Sequence, residues 1–503
     1  MPSEGAALVK RESNVFSPQA EAAQGAATPS GGAAVPHRTQ LGRRFTTRLH
    51  VALVGAPNGG RSTLFNALAR RHVGASPVPS ETRAAQAGRA DVADDRFSAL
   101  CDVYAPARRR PLSVTLVDTP ALLGEHAGRA FAAIADSKAD VLLVVVRDFQ
   151  GDRATVVGDG IDAARDVEAV CDELLRHDIN VVEAALEDCR NFKGGAAQHA
   201  RWRIDEVTAL ERALRRLQGD GADDDVPREL RAFPWTHAER GFLSARPLVT
   251  VKAVVVAVNS ELRAFLTDTD CLLRGDSLGR IHAAANRHGI RRADVLPCCA
   301  ALEERLQCLS ERPGEEKISG LGGAGRSPVI ALRCYEVANP THFSSRARLF
   351  NALFCAVALE RVFTACGREV RCWAVREAST VLDFARGVHD EMARSLMFAE
   401  TCAATDVAAA SSEGAARRQG KVARVGADVI LEDGQVVWLT FKLAQGDLAA
   451  AAPLQSPRTI EAARLQAMID AVADELAAAE LAAEYGTPEK GGASIPTPPE
   501  APR

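Results

Sequence analysis

LHVALVGAPNGGRSTLFNALARR, residues 49–71, is the stretch that decides the fold. Its first six residues, LHVALV, are mostly branched and aliphatic, as in a strand buried on both faces. GAPNGGRST follows, then LFNALARR with helical apolar spacing. Strand, glycine-rich loop and helix in that order form the setting of a phosphate-binding loop. Gly55 and Gly60 bracket four residues, the spacing of G-x-x-x-x-G-K-[ST]. Glycine lets the loop curl so that its N–H groups face phosphate oxygens, and the helix N-terminus adds partial positive charge. The candidate contacts are Asn58, Gly59, Gly60, Arg61, Ser62 and Thr63, with the Ser62 hydroxyl placed for Mg2+. Arg61 stands where the motif has lysine. It keeps the charge, but a planar fork replaces a compact ammonium, so the change bears on the catalytic role of this position more than on binding.

Working outward, LSVTLVD (112–118) is a second apolar strand that ends in Asp118. A carboxylate at the C-terminal edge of a buried strand is where a nucleoside triphosphatase reaches Mg2+. VLLVVV (141–146) and LVTVKAVVVAV (248–258) read as further buried parallel strands, and 127–136 carries a helical pattern between two of them. The alternation is that of a doubly wound α/β sheet. Residues 164–192 and 200–217 each show apolar residues at near-helical spacing, with KGGAAQ between them, which predicts an antiparallel helical hairpin. Ile204, Val207, Leu210, Leu214 and Leu217 form the stripe of its second helix. Asp433-Gly434 between two alternating apolar runs predicts a β-hairpin turn.

Composition bounds the rest. The 503 residues allow roughly two to four domains. With 47% hydrophobic and 25% charged residues, the chain is neither a disordered polymer nor a disulfide framework. Its 61 basic against 65 acidic side chains exclude a global basic field of the kind that binds DNA nonspecifically. No DNA partner is expected. The 12 cysteines contain no C-x-x-C pair, which suits a reducing compartment. Cys298 and Cys299 are adjacent, and buried thiols are favoured over a redox pair. No run of about 18 apolar residues appears, so no membrane span is expected.

Residues 1–47 read as a disordered extension by composition. Glu4, Glu12 and Glu21 favour a cytoplasmic tail, and Arg38, Arg43, Arg44 and Arg48 keep a mitochondrial transit peptide as the alternative. Residues 446–503 read as a helix, with Leu465, Met468, Ile469, Val472 and Leu476 as its stripe, followed by a second tail.

From about residue 49 to 443 the chain resembles the Obg-like ATPases, the YchF-type branch of the translation-factor class of P-loop NTPases. GAPNGGRSTLFNAL resembles that family's G-x-P-N-V-G-K-S-T-L-F-N-A-L. DDRFSALCDVY resembles a D-x-R-[FL] stretch, and the segment from Arg147 to Leu174 resembles R-x-F-x-x-D followed by D-I-E-x-I-x-x-E-L. VFTACGREVRCWAV and GADVILEDGQVVWLTF are similar to its two C-terminal signatures. The resemblance implies a P-loop G domain in two parts (48–163 and 246–366, with an irregular insertion at 303–340). It also implies a coiled-coil hairpin inserted at 164–245 and a C-terminal β-grasp TGS domain at 367–445. It implies ATP or GTP as ligand, slow hydrolysis as a molecular switch, Mg2+ held by Ser62, Thr82 and Asp118, and a ribosome or rRNA partner. Asn259 and Glu261 would face the base, with Cys299 and Ala300 nearest it.

The chain departs from the pattern at switch II. DTPA replaces D-x-x-G, so Ala121 stands at the glycine and is tolerable only at negative φ. Leu122 follows, where glutamine orients water in Ras-like enzymes. His126 is the candidate compensating group, against an ordinary loop histidine. Asn259-Ser260-Glu261 is one residue shorter than the family's N-x-x-E. A degenerate nucleotide-binding scaffold, acting through its hairpin and C-terminal domain, is the alternative reading.

Overall fold

The computed structural model describes residues 49–69, 85–124, 127–150, 160–191, 197–219, 227–261, 276–304, 345–366 and 368–442. The expected tails, Thr82, His126 and nearly all of the 303–340 insertion lie outside the described residues.

The first sheet has the order β2-β4-β1-β5-β6-β7. Its strands are β1 (Leu49–Val54), β2 (Gln86–Asp91), β4 (Ser113–Asp118), β5 (Val141–Asp148), β6 (Ala253–Ser260) and β7 (Val295–Cys298). All neighbours are parallel except β2, which runs antiparallel to β4 at the edge. Leu49, Val51 and Leu53 face one core, and Ala52 and Val54 face the other. That two-sided burial explains why the strands read as continuous apolar runs. β6 begins at Ala253, so the expected strand at 248–258 starts late and Leu248–Lys252 forms the turn that enters it.

The helix Ala163–Asn191 serves two cores in one rod. Val167, Val170 and Leu174 pack under the first sheet, whereas Val182, Ala185 and Leu186 pack against Leu210, Ala213 and Leu217 of the helix Ala197–Gln218. Arg190 pairs with Glu211 and Gln218 with Glu183, so the two helices run antiparallel. The expected boundary at 163/164 coincides with the start of this helix, which runs on from the core of the first sheet into that of the hairpin. Ile204, placed in the apolar stripe by its spacing, is 65% exposed. Buried Asp178 fixes the root of this hairpin by accepting from the Val249 and Thr250 N–H groups and from Thr250 Oγ1. Burial pushes its carboxyl up to about 6 against those hydrogen bonds.

A second sheet has the order β11-β10-β12-β8-β9-β3. Its strands are β3 (Arg108–Arg110), β8 (Leu359–Ala365), β9 (Glu369–Arg376), β10 (Leu396–Ala403), β11 (Ala423–Val425) and β12 (Gln435–Phe441). β8 and β9 form an antiparallel hairpin, the helix Val381–Val388 crosses one face, and β12 lies parallel to β8. This sheet starts at Leu359, so the expected boundary at 366/367 cuts the β8–β9 hairpin. The expected Asp433-Gly434 hairpin is also corrected: these residues form a turn, but β12 is flanked by β10 and β8 and not by the segment before the turn. Phe97 and Leu100, from the helix Asp95–Tyr104, share one cluster with Phe363, Val370 and Val436, so the two sheets are joined through a common core. Among the described residues no helix is long and apolar enough to cross a membrane, and the described cysteines are free thiols.

Burial, together with the charges of Asp433, Glu377 and Glu432, pushes the Glu360 carboxyl up to about 7. A carboxyl raised on folding binds its proton more tightly in the native state, so its stabilising effect is present below the unfolded value and lost as pH rises toward 7. Glu360→Gln is therefore expected to raise the unfolding midpoint relative to wild type at pH 8 and to leave it nearly unchanged at pH 4, measured by thermal unfolding at both values.

Candidate functional site: a phosphate-binding loop

The loop between β1 and the helix Arg61–Ala69 is built around positions that no side chain can occupy. Gly55 and Gly60 both have φ in the left-handed half of the map. A Cβ on Gly55 would run into the Val145 carbonyl of β5, and one on Gly60 would fall on Asn259 Nδ2. Asn58 also takes positive φ, a conformation asparagine tolerates better than most residues. The glycine spacing therefore reflects close approach of the loop to β5 and β6.

Ser62 Oγ donates to Asp118 Oδ2 at 2.6 Å. Ser62 stands on the first turn of the helix and Asp118 ends β4, which lies beside β1 in register, Leu53 opposite Asp118. The parallel ladder thus brings together the two oxygen donors that the sequence marked as metal ligands. One hydroxyl and one carboxylate fit a hard cation that takes its remaining ligands from phosphate and water. Among the described residues no group of three or more His, Cys, Asp or Glu forms a cage that would bind a metal without a phosphate. The residues present fit Mg2+.

Arg61 is 6% exposed, and its Nη1 donates to Gly55 O at 2.6 Å. Its Nε is buried and has no acceptor among the described residues. Burial lowers its pKa and the Asp118 carboxylate opposes that shift, but a guanidinium stays charged. The fork is thus anchored by one corner at the start of the loop. Gly55 O also accepts from the Leu122 N–H at 3.1 Å, which ties the 118–124 segment to the loop. Thr119 is likewise fixed, with N–H and Oγ1 both on Leu53 O. Ala121 is absent from the positive-φ residues, so its Cβ is accommodated as the sequence required. Leu122 is fully buried in the core beneath the sheet and does not face the site.

Asn259 makes contacts that the sequence did not show. It is 5% exposed, its Nδ2 donates to Gly59 O at 3.1 Å, and its Oδ1 accepts the Ala300 N–H at 3.0 Å. Its amide braces the phosphate loop against the 298–302 loop. Ala300 and Cys299 are 1% exposed, and the Ala300 N–H is committed to that brace. Burial raises the Cys298 thiol first, with Cys299 adding to it, so neither geometry nor charge favours a reactive pair. Glu261 is exposed just past the end of β6. Thr63 is partly buried on the first helical turn, and Asn58 and Ser62 are exposed at the mouth.

The sequence reading missed Arg147 and Phe149. Arg147 is 4% exposed, stands opposite Asn259 across β5 and β6, donates to Phe149 O at 3.1 Å and lies 5.0 Å from the Phe149 ring centre. The R-x-F spacing was the available signal. Burial raises the neighbouring Asp148 carboxyl, which the Ser260 hydroxyl opposes.

The chain is similar to known proteins over most of its length. A profile described as a 50S ribosome-binding GTPase matches residues 50–183, and one named for the C-terminal part of YchF GTPases, described as a protein of unknown function, matches residues 359–442. The chain is 27% identical to the Obg-like ATPase 1 of Oryza sativa subsp. japonica over 82% of its own length and 97% of the rice protein. It is 28% identical to the ribosome-binding ATPase YchF of Haemophilus ducreyi over 78% of its length and 98% of that protein. The solved structure of the Schizosaccharomyces pombe YchF GTPase superposes with a TM-score of 0.60 at 23% identity, covering 80% of this chain and all of that one, which shows a shared fold.

Asn259→Ala would leave two buried backbone groups, Gly59 O and the Ala300 N–H, without their partner. It is expected to destabilise the chain by about 2–4 kcal/mol. Urea unfolding at fixed m-value measures this, and a loss below about 0.5 kcal/mol would contradict the brace.

Proposed function

Because the chain belongs to the YchF-type family of Obg-like ATPases, within the P-loop NTPases, we propose that it binds ATP with Mg2+ at the 55–63 loop and hydrolyses it slowly as a molecular switch. One observation carries this reading: Ser62 Oγ and Asp118 Oδ2 meet at 2.6 Å at the mouth of a glycine loop that closes on β5 and β6. A strand, a helix N-terminus and a carboxylate converge there, as binding of a metal-chelated triphosphate requires.

The chemistry is in-line attack of water on the γ-phosphorus with loss of the diphosphate. Loop N–H groups and the helix N-terminus hold the β- and γ-phosphate oxygens. Arg61, anchored at Gly55 O, turns its remaining N–H groups on the same oxygens, so it replaces lysine as a fork and not as a point charge. Ser62 and Asp118 would hold Mg2+, with Thr82 as the third protein ligand. Mg2+ supplies charge neutralisation of the phosphates when bound. His126 is the proposed water-orienting group, because Leu122 is buried in the core and has no polar atom to offer. Slow turnover follows from that arrangement.

ATP is preferred in this reading on the names of the relatives, with GTP as the competing ligand. The antiparallel helices at 163–191 and 197–218 are read as the family's coiled-coil hairpin, and the second sheet, with its crossing helix and parallel β12–β8 pair, as its β-grasp TGS domain. The ribosome, through its rRNA or proteins, is the proposed partner and the cytoplasm the proposed compartment, following the ribosome-binding name of the Haemophilus relative. Burial of Leu122 favours one second reading, a nucleotide-binding module without turnover.

Phosphate release from ATP in Mg2+ separates these readings. Slow release is expected, and Asp118→Ala should lower it by roughly a hundredfold or more, because removing a metal carboxylate withdraws several kcal/mol of transition-state stabilisation. ATP binding without any release would leave the module reading. Absence of both binding and release would contradict the two together.

A further inference from the structure

The D-x-R stretch at Asp94–Arg96 has no part in the site described so far, yet it makes a polar contact between the two sheets. Asp94 caps the helix Asp95–Tyr104 by accepting from the Arg96 N–H at 2.9 Å. Its carboxylate also takes Arg96 Nε at 3.1 Å and Nη2 at 2.9 Å, and Arg361 Nη1 of β8 lies at 3.1 Å. Burial would raise this carboxyl, but the hydrogen bonds and charges of Arg96 and Arg361 hold it below its ordinary value. From the same fork, Arg96 Nη1 donates to Asp433 Oδ2 at 2.7 Å, while Asp433 Oδ1 accepts the Arg361 N–H at 2.7 Å. A Cβ on Gly434 would stand 2.5 Å from Arg96 Nη1, so the Asp-Gly turn is shaped to admit that arginine. Phe363 lies beneath it, with the Arg96 guanidinium 5.5 Å from the ring centre. Two acids and two arginines therefore close a ring between the segment that follows β2 and the second sheet.

The other end of that segment reaches the phosphate site. β2 pairs residue for residue with β4, from Asp91 opposite Ser113 to Gln86 opposite Asp118. Gln86 thus shares a ladder position with the carboxylate that meets Ser62. From there β2 runs to Asp91, Val92 N bonds Leu112 O, and Asp94 follows. At about 3.3 Å per residue the ring lies on the order of 25 Å from the phosphate site along one extended segment. A shift of β2 along β4 moves both ends together, because a strand held by its ladder does not stretch.

Resting on the nucleotide-binding reading above, we propose that Arg96 is a positioning residue for the nucleotide site. By fixing the far end of β2 to Arg361 of β8 and the Asp433 turn, it holds β2 in the register that keeps Gln86 beside Asp118, and so steadies the carboxylate that the β1–β4 ladder presents to the metal-bound triphosphate. By linkage, occupancy of the site stabilises the packing of the second sheet by the same factor. The C-terminal sheet is thus part of the metal site's support, not a tethered arm.

The experiment is calorimetric titration of ATP into the full chain, wild type and Arg96→Met, in Mg2+ and again in EDTA, with folding checked by circular dichroism. Arg96→Met should weaken ATP binding in Mg2+ by about fivefold or more, the usual size of a coupling. The two proteins should bind alike in EDTA, because the effect passes through Asp118. Arg96→Lys, which keeps the charge without the fork, should recover part of the loss. Should Arg96→Met fail to fold, the near-isosteric Asp433→Asn takes its place with the same expectations. A folded variant with wild-type affinity in Mg2+, or with an equal loss in Mg2+ and EDTA, overturns the positioning role and leaves the nucleotide reading standing. A wild-type chain that binds no ATP removes both.

Discussion

The buried amide of Asn259 is the interaction on which the site depends. One side chain at the end of β6 holds Gly59 O with its nitrogen and the Ala300 N–H with its oxygen. With both groups out of water, each needs its partner, and a single residue serves them both. The consequence spreads through the loop. Gly60 must lack a side chain because Asn259 Nδ2 lies where its Cβ would be, and Gly55 must lack one because the loop is pressed onto Val145 O. The nest that faces phosphate oxygens is therefore shaped from beneath by the sheet before any ligand arrives. That is the preorganisation an anion site needs if binding is not to be offset by ordering the loop.

Around that point the chain distributes its cations and anions in two separate assemblies. At the loop, Arg61 is pinned to Gly55 O and Ser62 to Asp118, so charge of both signs is held close and largely out of water. Between the sheets, Asp94, Arg96, Arg361 and Asp433 form the second assembly. Surface ion pairs contribute little on their own, but here they sit over a shared core in which Phe97 and Leu100 meet Phe363 and Val436. The apolar contact binds the sheets, and the ion pairs fix their register. The hairpin is attached differently, through one helix that begins under the first sheet and ends in the hairpin core, with Asp178 tying that helix to the turn before β6.

Much of this was legible in the sequence because it depends on local pattern. Buried parallel strands are apolar along their whole length, the glycine loop has fixed spacing, and Asp118 ends a strand, so the loop, Asp118 and the first sheet could be placed from residues alone. What could not be read depends on neighbours far apart in sequence. Asn259 looked like a base contact because it follows a buried strand; only the tertiary structure shows its amide engaged on both sides. Asp433-Gly434 carried the signal of a two-residue hairpin, but its glycine makes room for Arg96, whose side chain arrives 337 residues away along the chain. Leu122 was recognisable as a poor substitute for a water-orienting glutamine, but not as a core residue. The 366/367 boundary that the resemblance implied falls within the β8–β9 hairpin, because only strand pairing shows which sheet β8 joins.

A crystal structure of the full chain with Mg2+ and a non-hydrolysable ATP analogue tests this arrangement most directly. The metal is expected at Ser62 and Asp118, the Arg61 fork on the β- and γ-phosphates with its Gly55 anchor kept, and the Asn259 amide still bridging Gly59 and Ala300. A triphosphate bound elsewhere, or Asn259 turned out of its bridge to meet the base, would contradict it.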